Sequence, residues 1–103
     1  MFLEIQYDKC ELLGKQVYLD AGKELGETNC AILDKIIHKV IALGIQENNN
    51  VQFLNVIPFT KIAYSDDEAI VILSKKDIVS YDEFFMMKLK KIMTKSYKTN
   101  YKI

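Results

Sequence analysis

The residues able to do chemistry are few, and each needs a neighbour before it can react. A nucleophile requires a base beside it, and this chain carries a single histidine, His38. His38 follows Asp34 by four positions, a favourable contact on a helix, and helical geometry puts it on the polar, exposed side. Cys30 falls near the start of the same expected helix, where the dipole would lower its pKa. Its angular position is close to the apolar face, however, so it reads as a core thiol. The only other cysteine is Cys10. Two cysteines behind a start with no basic, apolar leader read as free thiols in a reducing compartment, and the expected location is cytoplasmic. Two cysteines and one histidine are too few for a structural metal centre, so neither a metal nor a cofactor is expected.

The carboxylates come in groups: Asp66, Asp67 and Glu68, then Asp82 and Glu83. The first group suits a tight turn and the second the first turn of a helix, so local structure accounts for both. The segment 21–28, AGKELGET, follows an expected strand and opens the expected helix, where an anion could bind. A phosphate loop needs lysine and a hydroxyl directly after its second glycine. Here Lys23 follows the first glycine, and Glu24 and Glu27 would repel phosphate. No catalytic residue is assigned.

The cations are more distinctive. All fourteen basic residues are lysine. Without arginine the chain lacks the planar fork that grips guanine and phosphate from two sides. Net charge is zero, but residues 88–103 hold six lysines and no acid, against a balance of −6 in the rest. Such division can steer a partner, or can simply be a solvated helix that complements its own dipole. Lysines and aromatics interleave at Lys95, Tyr97, Lys98, Tyr101 and Lys102, where a single-stranded nucleic acid could stack. Lys88, Lys91, Lys95, Lys98, Tyr97 and Tyr101 are therefore the candidate contacts for a partner protein or nucleic acid.

The elements that must position these residues follow from periodicity. A chain of 103 residues, half of them apolar, supports one domain, here 1–103 with a lysine-rich C-terminal tail. No apolar run reaches the roughly 18 residues that span a bilayer, and no membrane partner is expected. FLEIQY, 2–7, alternates as a half-buried strand with Leu3, Ile5 and Tyr7 on one face. QVYLD, 16–20, reads as its partner. Leu33, Ile36, Ile37, Val40 and Ile41 recur at helical spacing, predicting a helix over 29–43 closed by Gly44. VQFLNVI, 51–57, reads as an interior strand, joined to the second strand through a right-handed crossover as a parallel pair. Pro58 ends it. TKIAY and AIVILS flank an acidic turn as a hairpin. Ser80 to Glu83 fits a capping box, opening a helix to about residue 97 with Phe85, Leu89, Ile92 and Met93 inward. The expected fold class is α/β: a mixed five-stranded sheet in the order ββαβββα, with two helices packed on it.

The succession VYLD, glycine-bearing loop, AILDKIIHKVIALGI and VQFLNV, with DIVSYDEFFMMKLKKIM at the end, resembles the psi-subunit family of the bacterial DNA polymerase III clamp-loader assembly. The resemblance covers roughly residues 12–95 and implies a uracil-DNA-glycosylase-like fold. It also implies a non-enzymatic adaptor that links its partner chi to the clamp loader. The tryptophan expected in that family's last helix is replaced here by Met86 and Met87. Active glycosylases of the fold place an acid after the first core strand, which Asp20 matches, and an asparagine where Asn55 stands. Their late-loop histidine has no counterpart, so the constellation is incomplete. The expected function is a protein-binding adaptor subunit in the cytoplasm, for which the resemblance implies a place in DNA replication. The alternative is a phage- or toxin-linked inhibitor or immunity protein that blocks an enzyme. An enzymatic role is not expected.

Overall fold

The computed structural model describes residues 1–7, 11–47 and 50–101, with the backbone alone for 50–53 and 95–101. Its strands are β1 (Leu3–Gln6), β2 (Gln16–Leu19), β3 (Glu24–Asp34), β4 (Lys39–Glu47), β5 (Asn50–Pro58), β6 (Ile62–Ser65), β7 (Ala69–Ile72) and β8 (Val79–Ser80), followed by helix α1 (Tyr81–Tyr101). All eight strands join one mixed sheet in the order β6-β7-β2-β3-β4-β5-β8, with β1 also paired to β3. The expected five strands and two helices are thus corrected to a mostly β fold with a single C-terminal helix.

The decisive difference lies at 29–43. These residues form no helix; they complete β3, turn at 35–38 and enter β4, the two strands pairing antiparallel from Gly26–Glu47 to Asp34–Lys39. Asp34 organises the turn: its Oδ1 accepts the N–H of Ile36 at 2.8 Å and of Ile37 at 3.4 Å. His38 then takes a left-handed backbone, φ 57°. The helical spacing was a coincidence of strand, turn and strand. Ile36 and Ile37, placed on the helix's apolar face by that spacing, are 60% and 53% exposed. β4 is buried on both faces at Ala42, Leu43, Gly44 and Ile45, and such a run has no period-2 signature to set it apart from a buried helix. The β-branched residues Ile32, Val40, Ile41 and Ile45 tip it towards strand, because they pack on a pleated surface without loss of rotamers.

A left-handed conformation costs an L-residue about 1–2 kcal/mol. His38→Gly is therefore expected to raise the unfolding free energy by about 0.5–1 kcal/mol, once glycine's greater freedom in the unfolded chain is subtracted. Urea denaturation measures it. A net loss of stability would mean that the imidazole makes a contact worth more than the backbone relief.

Two further pairings differ from expectation. β1 and β2 do not pair with each other: Leu3–Gln6 runs beside Ala31–Asp34, and Gln16–Tyr18 beside Glu24–Glu27, along the same strand. β5 is antiparallel to β4, and the parallel pair is β2 with β7. The loop expected at 21–28 contracts to a tight turn in which Gly22 (φ 95°) donates its N–H to Leu19 O at 2.8 Å. The acidic hairpin turn, the interior strand ended by Pro58 and the helix opened at Ser80 all stand where the sequence put them.

One apolar cluster gathers Val17, Leu25, Ala31, Leu43, Ile45, Ile57, Ile70 and Ile72. β7 and β5 lie four strands apart in the sheet, about 19 Å if it were flat. Their joining one cluster requires the sheet to curl around that core. The opposite face carries a second cluster, Leu3, Cys30, Ile32, Ala42, Val56 and Phe84, with Phe2, Ile5 and Phe85 packed against it. α1 is fixed to this outer face.

Thr28 locks the segment before β2. Its Oγ1 accepts the Lys15 N–H at 2.9 Å and donates to Leu12 O at 2.6 Å. The Lys15 stem is buried, and its Nζ donates to the backbone oxygen of Asp66. The acidic turn is thereby tied to the body.

Candidate interaction surface

The sequence distributes its reactive groups and the fold keeps them apart. Asp20 sits in the β2–β3 turn and His38 in the β3–β4 turn, at opposite ends of the eleven-residue strand β3, which spans roughly 35 Å. Asn55 donates its Nδ2–H to Glu47 Oε2 at 2.6 Å. Cys30 is fully buried. Burial pushes its thiol pKa up, with the Gly44 backbone N–H pulling weakly the other way. That is a core thiol, not a poised nucleophile. Asp66 is occupied by its own turn: Glu68 and Ala69 donate N–H groups to Oδ1 at 2.9 Å. These bonds hold its carboxyl below the usual range, while Tyr64 O–H donates to Oδ2 at 3.2 Å and is itself pushed up. Among the described residues, no three His, Cys, Asp or Glu side chains gather into a metal-binding group.

A hollow of about 540 Å³ lies between β1, β5 and the start of α1, lined by Ile5, Tyr7, Leu54, Asn55, Ser80, Tyr81 and Asp82. Two of its polar side chains serve the fold: Asn55 holds Glu47, and Ser80 Oγ accepts the N–H of Glu83 at 3.1 Å. Tyr81 has its hydroxyl pKa raised by burial and by Asp82.

α1 carries a free surface. Its first turn carries the anchorage. Phe84 is 1% exposed, Phe85 stacks on Phe2 with ring centroids 5.2 Å apart, and Tyr81 sits 6.4 Å from Phe85. Phe84 is the inward residue that the sequence reading missed; Phe85 was identified, Leu89 and Ile92 are only half-buried, and Met93 points outward. A deeper signal existed in the pair Phe84-Phe85, since two adjacent aromatics on a helix subtend about 100° and cannot both be peripheral to a broad contact.

Beyond that anchor the helix leaves apolar surface uncovered. Met86, Met87 and Met93 are 48%, 48% and 61% exposed. Met86, Leu89 and Met93 follow i, i+3, i+7 spacing and share one face. Of the candidate contacts, Lys91 is exposed, on a side of the helix away from this face. Lys88 has a structural share, its Nζ lying 5.4 Å from the centroid of the Phe84 ring, a cation–π geometry. Lys95, Tyr97, Lys98 and Tyr101 lie on the helical backbone, with side chains outside the described residues; Lys102 and Cys10 lie outside them altogether. No helix among the described residues is long and apolar enough to cross a membrane.

Comparison with protein-family models and with curated proteins gives no match to this chain.

Proposed function

We propose that the protein is a non-enzymatic interaction subunit, an adaptor that docks α1 into an apolar groove of a partner protein. The observation that carries this reading is the exposure of Met86 and Met93, on one face with the half-buried Leu89, on a helix anchored in the core by Phe84 of its first turn. Helix-in-groove recognition uses anchors at this spacing. Methionine suits it, because its flexible thioether fits an irregular apolar partner surface. Lys90 borders the face and is exposed, so the groove we propose carries an acid on its rim. A buried free thiol at Cys30 is in keeping with a reducing compartment, and we take the cytoplasm as the site of action. The helix at 29–43, which carried much of the likeness to the psi subunit, is a hairpin, so the adaptor reading stands on the α1 surface and not on that likeness.

The test is a native pull-down with the full chain and with a Met86→Asp/Met93→Asp variant. Both positions are exposed, so thermal melting should be unchanged. The wild type is expected to retain one protein in stoichiometric amount, and the variant to bind it at least about tenfold more weakly, the usual scale for two interface anchors. Equal retention by both proteins, or no retained protein, overturns the proposal. A retained enzyme that loses activity on binding would make the protein an inhibitor instead of an adaptor.

A further inference from the structure

The β3–β4 turn is built from residues that turns ordinarily avoid. Lys35, Ile36, Ile37 and His38 are all exposed, and tight turns favour Gly, Asn, Asp and Pro. Two isoleucines side by side, 60% and 53% exposed, are held outward by the Asp34 carboxylate, which grips the backbone beneath them. Lys35 precedes them and Lys39 follows, both exposed.

This turn is tied through Phe2 to the start of α1, where Asp82 and Glu83 precede Phe85 and the lysines follow it. Lys35 N–H donates to Phe2 O at 2.8 Å, the Phe2 ring stacks on Phe85, and Lys88, Lys90 and Lys91 begin one turn further along α1. The acids nearest in register are Asp34, engaged in the turn, and Glu4, opposite Leu33 on β1. The acids Glu24, Glu27 and Glu47 lie at the far end of the β3–β4 hairpin, and Asp66 to Glu68 lie level with them through β2.

We propose that the β3–β4 hairpin tip is a membrane-surface contact, in which Ile36 and Ile37 enter the headgroup–acyl boundary of an anionic bilayer while Lys35 and Lys39 meet its phosphates. Surface attachment needs no spanning segment. Two isoleucine side chains fall far short of the roughly 800 Å² per partner that a stable protein interface buries. A bilayer has no such requirement, because it closes around any convex apolar tip. Lysine stems can lie along the apolar layer with their ammonium groups at the lipid phosphates. Apolar insertion and a basic rim are the two weak signals that together give reversible surface binding. The proposal is independent of the role given to α1, which uses different residues.

Cosedimentation of the full chain with large unilamellar vesicles tests it. Vesicles of phosphatidylcholine with 30% phosphatidylglycerol, on the order of the anionic content at which such binding is read, are compared with pure phosphatidylcholine. The wild type is expected to bind the anionic vesicles and to bind the neutral ones much more weakly. Ile36→Ser/Ile37→Ser should weaken anionic binding by at least about tenfold. Lys35→Gln/Lys39→Gln should weaken it by about 25-fold, roughly fivefold per lysine. None of these side chains is in the core, so melting curves should match the wild type. The chain has no tryptophan, so Ile37→Trp supplies a single reporter whose emission should shift blue on anionic vesicles. The Met86→Asp/Met93→Asp variant should bind vesicles normally. Failure of the wild type to bind overturns the proposal, as does binding that survives loss of both isoleucines. Binding lost only in the Met86→Asp/Met93→Asp variant would assign the membrane contact to α1 and overturn both this proposal and the docking role given to that helix. A protein cross-linked through a photoreactive group at position 37, with no vesicle binding, would make the tip a protein contact.

Discussion

Replacing Phe84 by alanine is expected to lower the unfolding free energy by about 3–5 kcal/mol, the range for a buried phenylalanine. Among the described residues, Phe84 is the one of α1 in the fully buried set, and it is packed among Leu3, Cys30, Ile32, Ala42 and Val56. Its removal leaves a cavity lined by the outer faces of β1, β3, β4 and β5. Those strands are held in register by their own hydrogen bonds and cannot collapse to fill it. The loss is a large part of the roughly 5–15 kcal/mol that such a domain has in total. Phe84→Ala should also loosen α1 from the sheet, because Tyr81 and Phe85 are only half-buried. Urea denaturation measures the first effect, and amide exchange along residues 85–94 the second. Met93→Ala, on the same helix but 61% exposed, is the control and should cost no more than about 0.5 kcal/mol. A Phe84→Ala cost below about 1 kcal/mol would mean that the helix is not seated as described.

Gly44→Ala is the second large effect, and its cause can be isolated. Gly44 pairs with Cys30 across β3 and β4. A Cβ at position 44 would stand 2.2 Å from Cys30 Sγ, 2.9 Å from Asn29 Oδ1 and 3.1 Å from Leu54 Cδ1. The sulfur is fully buried, so the strain cannot be relieved by turning the side chain into solvent. We expect a loss of about 3 kcal/mol, the upper part of the range for overpacking. Cys30→Ala removes the obstructing atom and should by itself cost about 1 kcal/mol as a lost buried contact. In the double variant the two losses should not add. The Gly44→Ala penalty should fall by about 1–2 kcal/mol, a coupling of the size found for residues in direct contact. Strict additivity would show that the sulfur is not what confines position 44, and would move the constraint to Asn29 and Leu54.

Some of this surface is seen only against the fold. The charge division was legible in the chain, since six lysines without an acid in 88–103 need only counting. The face that exposes Met86 and Met93 beside the half-buried Leu89 was half legible: its spacing was visible, but the choice of inward side was not. Helical spacing turns Met93 inward, whereas in the structure Phe84 takes that place. The isoleucine tip was not legible at all. Ile36 and Ile37 fit an apolar helical face so well that their exposure became visible only when the segment proved to be a hairpin.

By itself the sequence determined the elements whose signals are local. Ser80 accepting the Glu83 N–H opens α1, Asp66 closes the β6–β7 turn with its own carboxylate, and Pro58 stops β5. Each depends on atoms within three or four residues, so each is written in the order of the chain. The tertiary structure alone decided the identity of 29–43, the parallel pairing of β2 with β7, and the side of α1 that is buried. A run buried on both faces carries no period to separate strand from helix. What made it strand was the presence of β1 and β2 on one side and β5 on the other, ready to take up its backbone hydrogen bonds. That choice carried Cys30 into the core, put Asp20 and His38 at opposite ends of one strand, and lifted Ile36 and Ile37 into solvent.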